Sequence, residues 1–233
     1  MNKFALTFLL FTITFSLKGQ DSTKVEQDNR PAIYWFYHNN FNLATRYSDL
    51  AEAKSALYSL INLEPQNDSL KFNLAYMYFD TKQYASSILV CMDVLALNPQ
   101  HAPSLEMTAI SYEELGLKEK ALLNYEQLYL LTDNIETLYK LTFIQFDLKR
   151  YGECEVNIEI LMKHPEIDNK TMVFQISETE QKEFSLRVAV LNLQGLVKKD
   201  QGDLAGARES WNSVLAIAPD FIFATNNIAE LDK

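Results

Sequence analysis

Between residues 68 and 133 two consecutive stretches place apolar and polar positions in one order with one spacing. The first has Leu74, Ala75 and Tyr78, then Tyr84, Ser87, Cys91, Val94 and Leu97, ending at Pro99. The second has Ala109, Tyr112, Leu115 and Gly116, then Ala121, Tyr125 and Leu128, ending at Asp133. Apolar residues three and four apart place one side of a helix against a core, so each stretch predicts two helices and a turn. A small residue on the first helix and a small residue on the second stand 12 apart in both stretches, Ala75 with Ser87 and Ala109 with Ala121. That spacing predicts one recurring point of close approach between helix backbones.

The interval from Pro65 to Pro99 is 34 residues, and the next unit carries the pattern 34 further, to Asp133. Residues 135–166 continue it with Leu138, Leu141, Thr142, Tyr151, Cys154, Ile158, Leu161 and Pro165, and residues 188–219 with Leu191, Gly195, Gly202, Ala207, Trp211, Val214 and Pro219. The small pair is again 12 apart, Thr142 with Cys154 and Gly195 with Ala207. A first unit, 34–65, keeps Ala53, Leu57 and Pro65 but has Phe41 at the small place, which predicts a different helix spacing there. Asp49 and Glu52 are spaced as a capping box at the start of its second helix. A period of 34 with two helices per unit, and Leu-small-x-x-aromatic followed by a Gly turn, Ala, an aromatic and Pro, resembles the tetratricopeptide repeat family. The resemblance covers residues 34–233. It implies an all-α solenoid of about five helix pairs, units 34–65, 68–99, 102–133, 135–166 and 188–219, in which each unit buries its apolar face only against its neighbours.

Two segments depart from the period. Residues 221–232 put Phe221, Ala224, Ile228 and Leu231 on one helical face and Asn226, Asn227 and Glu230 on the other, which predicts a capping helix with a polar back. Unit five begins 53 residues after unit four, leaving 19 extra residues in the insert 167–187. Met172, Phe174 and Ile176 stand at alternate positions, as do Phe184, Leu186 and Val188, around the polar 177–181. Period two on both sides of a polar turn predicts a short β-hairpin near 171–187; the alternative is one helix over 179–198 after a loop.

Met1–Gly19 has Lys3 and then a 14-residue apolar run, Phe4–Leu17. The run is short of the ~20 residues a membrane helix needs, and fits the apolar region of a cleaved secretory signal, with Gly19 at the cleavage site. The expected protein is therefore periplasmic or secreted and has no stable membrane insertion after cleavage. Residues 20–30 are polar and aperiodic and are expected to form a flexible lead-in to a repeat domain over 31–233. Only two cysteines occur, Cys91 and Cys154; the repeat register sets them two units apart, beyond disulfide reach, and predicts two buried free thiols.

The formal charge of −10 becomes −12 when Lys3 and Lys18 leave with the signal. Such an acidic surface disfavours nucleic acid and anionic lipid as partners. No motif for catalysis or for a cofactor is present: His38, His101 and His164 are scattered, and no phosphate loop, nucleophile elbow or metal-ligand spacing occurs. The expected protein is not an enzyme, holds no metal and needs no cofactor.

The family resemblance implies a concave groove lined by the first helix of each unit, which takes extended peptides or partner helices. Counted by place within the unit, the groove residues are Phe72, Tyr76, Phe79 and Asp80 in unit two, Glu106, Ile110, Glu113 and Glu114 in unit three, and Tyr139, Phe143, Phe146 and Asp147 in unit four. The groove would be aromatic and acidic, unless some of these aromatics pack against the neighbouring second helix. Members that grip acidic chaperone tails use cations and two Asn. Asn42 and Asn73 stand at the Asn places, but His38, Pro103 and Met107 replace the cations, so an acidic ligand is not expected. The expected ligand is a protein or peptide with apolar and basic residues. The implied role is a protein-interaction scaffold of the bacterial cell envelope; the alternative is a constitutive subunit of an envelope secretion or assembly complex.

Overall fold

The computed structural model describes residues 30–232. The expected signal, 1–19, and the lead-in up to residue 29 lie outside the described residues. Ten helices form five antiparallel pairs: α1 (Ala32–Arg46) with α2 (Leu50–Leu63), α3 (Asp68–Asp80) with α4 (Tyr84–Leu97), α5 (Ala102–Glu114) with α6 (Lys118–Thr132), α7 (Ile135–Asp147) with α8 (Tyr151–Lys163), and α9 (Leu186–Asp200) with α10 (Leu204–Ile217). An eleventh, α11 (Ile222–Leu231), closes the C-terminal end. Each helix packs on its sequence neighbours, so the molecule is an α-solenoid whose core runs as a strip between the two rows of helices.

The paired small residues are where the helices of a unit meet. Ala75, Ser87, Ala109, Ala121, Thr142, Cys154 and Ala207 are all 0% exposed. Ser87 Oγ donates to the Ala75 carbonyl at 3.0 Å and Cys154 Sγ to the Thr142 carbonyl at 3.4 Å, so the contact point carries a bond as well as a close approach. At Gly195 a methyl group would lie 2.3 Å from Trp211 Nε1. In unit one Phe41 occupies this place and packs, half-buried, with Tyr34, Leu57 and Leu60.

The turn inside each pair is built identically five times. The residue at its apex is left-handed in every unit: Ser48 (φ 59°), Lys82 (58°), Gly116 (72°), Lys149 (58°) and Gly202 (87°). Its N–H bonds the carbonyl three residues back, and the next N–H bonds the carbonyl five back, as in Lys82 to Phe79 and Gln83 to Tyr78, both 2.8 Å. This closure satisfies the last carbonyls of the first helix and reverses the chain. Five helices begin on side-chain caps: Asp49, Asn67, His101, Asn134 and Asp203 accept from the N–H three residues on.

The insert is a hairpin, β1 (Thr171–Gln175) antiparallel to β2 (Gln181–Ser185), with Met172 opposite Phe184. The second strand ends two residues earlier than the expected 187, because Leu186 and Val188 are buried residues of α9 and not strand positions. Phe174 and Phe184 point inward and meet Phe221 at ring-centre distances of 5.0 and 4.9 Å, with Phe223 5.7 Å from Phe174. At its base Arg187 grips Asp168 with two bonds of 2.6 and 2.9 Å, which holds the Asp168 carboxyl below the usual range. The hairpin therefore ties unit five to the start of the cap. Phe221, just before α11, and Ala224 are buried and Ile228 and Leu231 half-buried, while Asn226 and Glu230 face outward as the periodicity predicts; Asn227, expected on the outer face, is half-buried and donates to Asn192 Oδ1 at 3.4 Å. Arg30, at the end of the expected lead-in, is fastened: its guanidinium lies 4.3 Å from the Tyr34 ring centre and 5.0 Å from that of Trp35.

Candidate partner-binding groove

First helices of successive units touch directly, α3 with α5 and α7 with α9, whereas the second helices pack on the first helices to either side of them. The first helices form the closer-spaced row, so the array bends toward them and their outer faces line the concave side. Residues four, seven and eight apart share a helix face, which brings the predicted groove residues of each helix together.

On α3, Tyr76 is 45% exposed, Phe72 leans edge-on against His101 with ring centres 4.8 Å apart, and Phe79 meets Tyr84 at 5.8 Å. Asp80 is exposed at the end of the helix. On α1, Trp35 is 38% exposed and edge-on to His38 at 5.6 Å. Its place in unit one equals that of Ser69 in unit two, so counting by place would have found it. On α7, Phe143 and Phe146 are half-buried, 6.2 Å apart, and Phe146 meets Tyr151 at 6.4 Å.

One predicted groove residue, Tyr139, is buried in the core, and five more, Phe72, Phe79, Ile110, Phe143 and Phe146, are half-buried against it. Tyr139 is only 7% exposed and belongs to the core shared by α7, α8 and α9. Its burial pushes the phenol far up its titration range. Ile110 is half-buried against the same core.

The acids divide into two kinds. Glu114, Asp147 and Asp200 occupy the thirteenth place of units three, four and five, and each meets the residue that opens the second helix of the preceding unit. The Tyr84 hydroxyl bonds Glu114, Lys118 pairs with Asp147, and the Tyr151 hydroxyl donates to Asp200 at 3.1 Å. These contacts form a ladder along the rim that joins unit to unit. Glu106 is likewise taken up by Lys140 of the next unit at 3.3 Å. The concave face is thus less acidic than its composition suggests, because lysines from adjacent units answer two of the predicted carboxylates. In unit one the residue corresponding to Tyr84 is Leu50, which has no donor for Asp80.

Glu113 is different. Its carboxylate accepts from the Tyr125 hydroxyl at 2.8 Å and lies close to Lys140, Glu114 and Asp147. Removal from water raises its pKa; the Tyr125 bond and Lys140 pull it down, and Glu114 and Asp147 push it up. Tyr125 itself, fully inside the core, is pushed well up.

The histidines have structural partners: His38 bonds Asn42 at 3.2 Å, His101 caps α5, and His164 accepts from the Glu166 N–H at 3.2 Å. Met107, which stands at a cation place of the chaperone-tail binders, is 6% exposed and belongs to the core with Ala75 and Cys91. Among the described residues no group of His, Cys, Asp and Glu is placed to hold a metal ion, and no helix is long and apolar enough to cross a membrane.

Residues 69–101, the unit with the clearest groove, match the tetratricopeptide repeat model. The fold is a tetratricopeptide-like solenoid. A tetratricopeptide repeat protein from Parabacteroides merdae superposes with a TM-score of 0.63 at 19% identity, over 85% of this chain and 72% of that one. YrrB, a TPR protein with an unusual peptide-binding site, gives 0.63 at 13% identity over 82% and 89%. MamA gives 0.60 at 14% over 78% and 90%. At these identities the likeness is one of fold. No curated protein matches the chain significantly in sequence.

Proposed function

We propose that this chain is a non-catalytic adaptor of the bacterial cell envelope, exported by its N-terminal segment, that grips an extended peptide or partner helix in the concave groove. The observation that carries this reading is the α1–α3 part of the groove, where Trp35 and Tyr76 are exposed, Phe72 and Phe79 keep one side open while the other packs on Ala75, Cys91 and Met107, and Asp80 is exposed at the helix end. Exposed aromatics on a rigid helical row make anchors that lose little entropy on binding. Peptide binding in a structural neighbour supports the assignment of the groove.

The charge pattern selects the ligand. Apolar side chains fit against Tyr76 and Phe79 at one end and against Phe143 and Phe146 at the other, and a Lys or Arg between them meets Glu113. With helix rows ~8–10 Å apart, the two aromatic clusters lie about 20 Å apart, a span of about six residues of extended chain. The ligand is therefore a segment with apolar residues flanking a basic one. Labelled peptides of that pattern should bind the purified protein saturably and more weakly at high salt. Phe79→Ala combined with Phe146→Ala should abolish the binding; retention of every partner by that double variant would sink the proposal.

A second reading, a fixed subunit of an envelope assembly, is favoured by the convex side. There Leu89, Met92, Leu123, Leu130 and Val156 are each more than half exposed, Leu130 at 85%. Cross-linking in the native cell separates the two: a fixed stoichiometric complex held through α4, α6 and α8 supports the subunit, and exchangeable peptides on α3 support the adaptor.

A further inference from the structure

Helix α1 carries two apolar faces, and among the described residues only one of them is packed. The inner face, Tyr34, Tyr37, Phe41 and Ala44, packs on α2 and α3. The second is the row Ile33, Phe36, Asn40, Leu43 and Tyr47, at intervals of three, four, three and four. Ile33 is 46% exposed, Phe36 56%, Leu43 54% and Tyr47 71%, with Asn40 half-buried at the centre. Those intervals are the spacing of a two-helix coiled-coil seam, with one polar residue, Asn40, at its centre. No described element covers it: in the other units this side of the first helix receives the second helix of the unit before, as α4 packs on α5.

The occupant can be argued from both ends of the molecule. At the C-terminal end α11 turns Thr225, Asn226 and Glu230 outward, and Glu230 and Asp232 are paired with Lys199 and Arg208. Head-to-tail stacking would set an apolar seam on a polar helix, whereas a head-to-head pair sets like on like and closes with two-fold symmetry. The row is nearly symmetric about Asn40, with partners four and seven residues before it and three and seven after.

Charge fixes the direction. Among the described residues the first turn of α1 holds no acid and its start has no side-chain cap, so it presents the positive end of the helix. The other end of the seam carries Asp49 and Glu52, which with Asn40, Leu43, Ala44 and Tyr47 line a shallow cavity of about 230 Å³. Antiparallel helices crossing at Asn40 place this acidic corner of one copy beside the positive α1 start of the other, and bring Phe36 opposite Ala44 at the cavity. Parallel helices would set the two acidic corners together. We propose that the chain forms a two-fold dimer through the α1 seam, with α1 antiparallel to its copy. The contact leaves Trp35 and the groove open, because they lie on another side of α1. A single 15-residue helix per copy gives an interface at the small end of the specific range, so the dimer dissociates in the micromolar range.

Sedimentation of the purified full chain tests this. A concentration-dependent dimer is expected, and Phe36→Glu with Leu43→Glu should weaken it at least tenfold with helical content and melting unchanged, while Leu130→Glu leaves it intact. Cysteine cross-linking reads the geometry without depending on those variants, since native Cys91 and Cys154 are buried. Asn40→Cys should link to itself under mild oxidation, and Ile33→Cys protein should link to Tyr47→Cys protein in a mixture and not to itself. A chain that stays monomeric up to about 100 μM, as it would if its own N-terminal segment or another protein covered the seam, overturns the proposal. So does a dimer that survives the double Glu variant, or an Ile33→Cys protein that links to itself.

Discussion

Gly195→Ala puts the repeat packing to a quantitative test. An added methyl group would lie 2.3 Å from Trp211 Nε1, 2.6 Å from Cε2 and 2.7 Å from Cδ1. Carbon atoms in comfortable contact are about 3.5–4.0 Å apart, so the indole must withdraw by about 1 Å. Trp211 is 0% exposed, ringed by core residues, and its Nε1 donates to the Asn192 carbonyl at 3.3 Å, so withdrawal strains the core and loosens that bond. Overpacking of this kind costs about 1–3 kcal/mol and a weakened bond about 0.5–1.5 kcal/mol, while Ala in place of Gly in a helix returns about 1 kcal/mol. The net expectation is a loss of about 1–3 kcal/mol, a melting temperature lower by about 3–10 °C in calorimetry. Helix propensity alone predicts the opposite sign. An unchanged or raised melting temperature would refute the close contact. The same substitution on a Trp211→Phe background should cost at least about 1 kcal/mol less, since the two side chains then no longer collide. Ala109→Leu makes the corresponding test in unit three, with an expected loss of about 1–3 kcal/mol.

Three further outcomes follow from the geometry. Gly116→Ala meets no atom within 4 Å but must keep φ at 72°, so it should destabilise by about 1 kcal/mol through backbone strain alone, and Lys82→Gly at the equivalent turn should be neutral to stabilising by a similar amount; chemical denaturation measures both. Burial raises the thiol pKa of Cys91, and raises that of Cys154 to about 12, so a thiol reagent should label the folded protein slowly and take up two equivalents on unfolding. The Glu113 carboxyl has its pKa raised above 4.5 in the folded state, so its protonated form favours folding. That contribution is fully present below 4.5 and is lost as pH rises through the folded value. A Lys or Arg side chain docking there should release a proton at pH just above 4.5, seen as a buffer-dependent binding enthalpy; binding that releases none places the basic residue elsewhere.

The sequence by itself determined the architecture. The pairs Ala75–Ser87, Ala109–Ala121, Thr142–Cys154 and Gly195–Ala207 mark where helices touch, because close approach demands small side chains and leaves a local, periodic trace. The hairpin and the cap were legible for the same reason: alternation and helical periodicity are short-range. The turn was legible only where glycine stood. Ser48, Lys82 and Lys149 adopt the same left-handed conformation as Gly116 and Gly202, held there by the helix closure on either side. What the tertiary structure decided concerns side chains that answer residues 29 or more positions away. Counting places cannot show that Tyr139 is buried, that Lys118 and Lys140 come from adjacent units to neutralise Asp147 and Glu106, or that Tyr84 occupies Glu114. Nor can it show that the row Ile33 to Tyr47 is left over once α1 has packed, because a seam and a core face look alike until the stacking of neighbours says which one is covered.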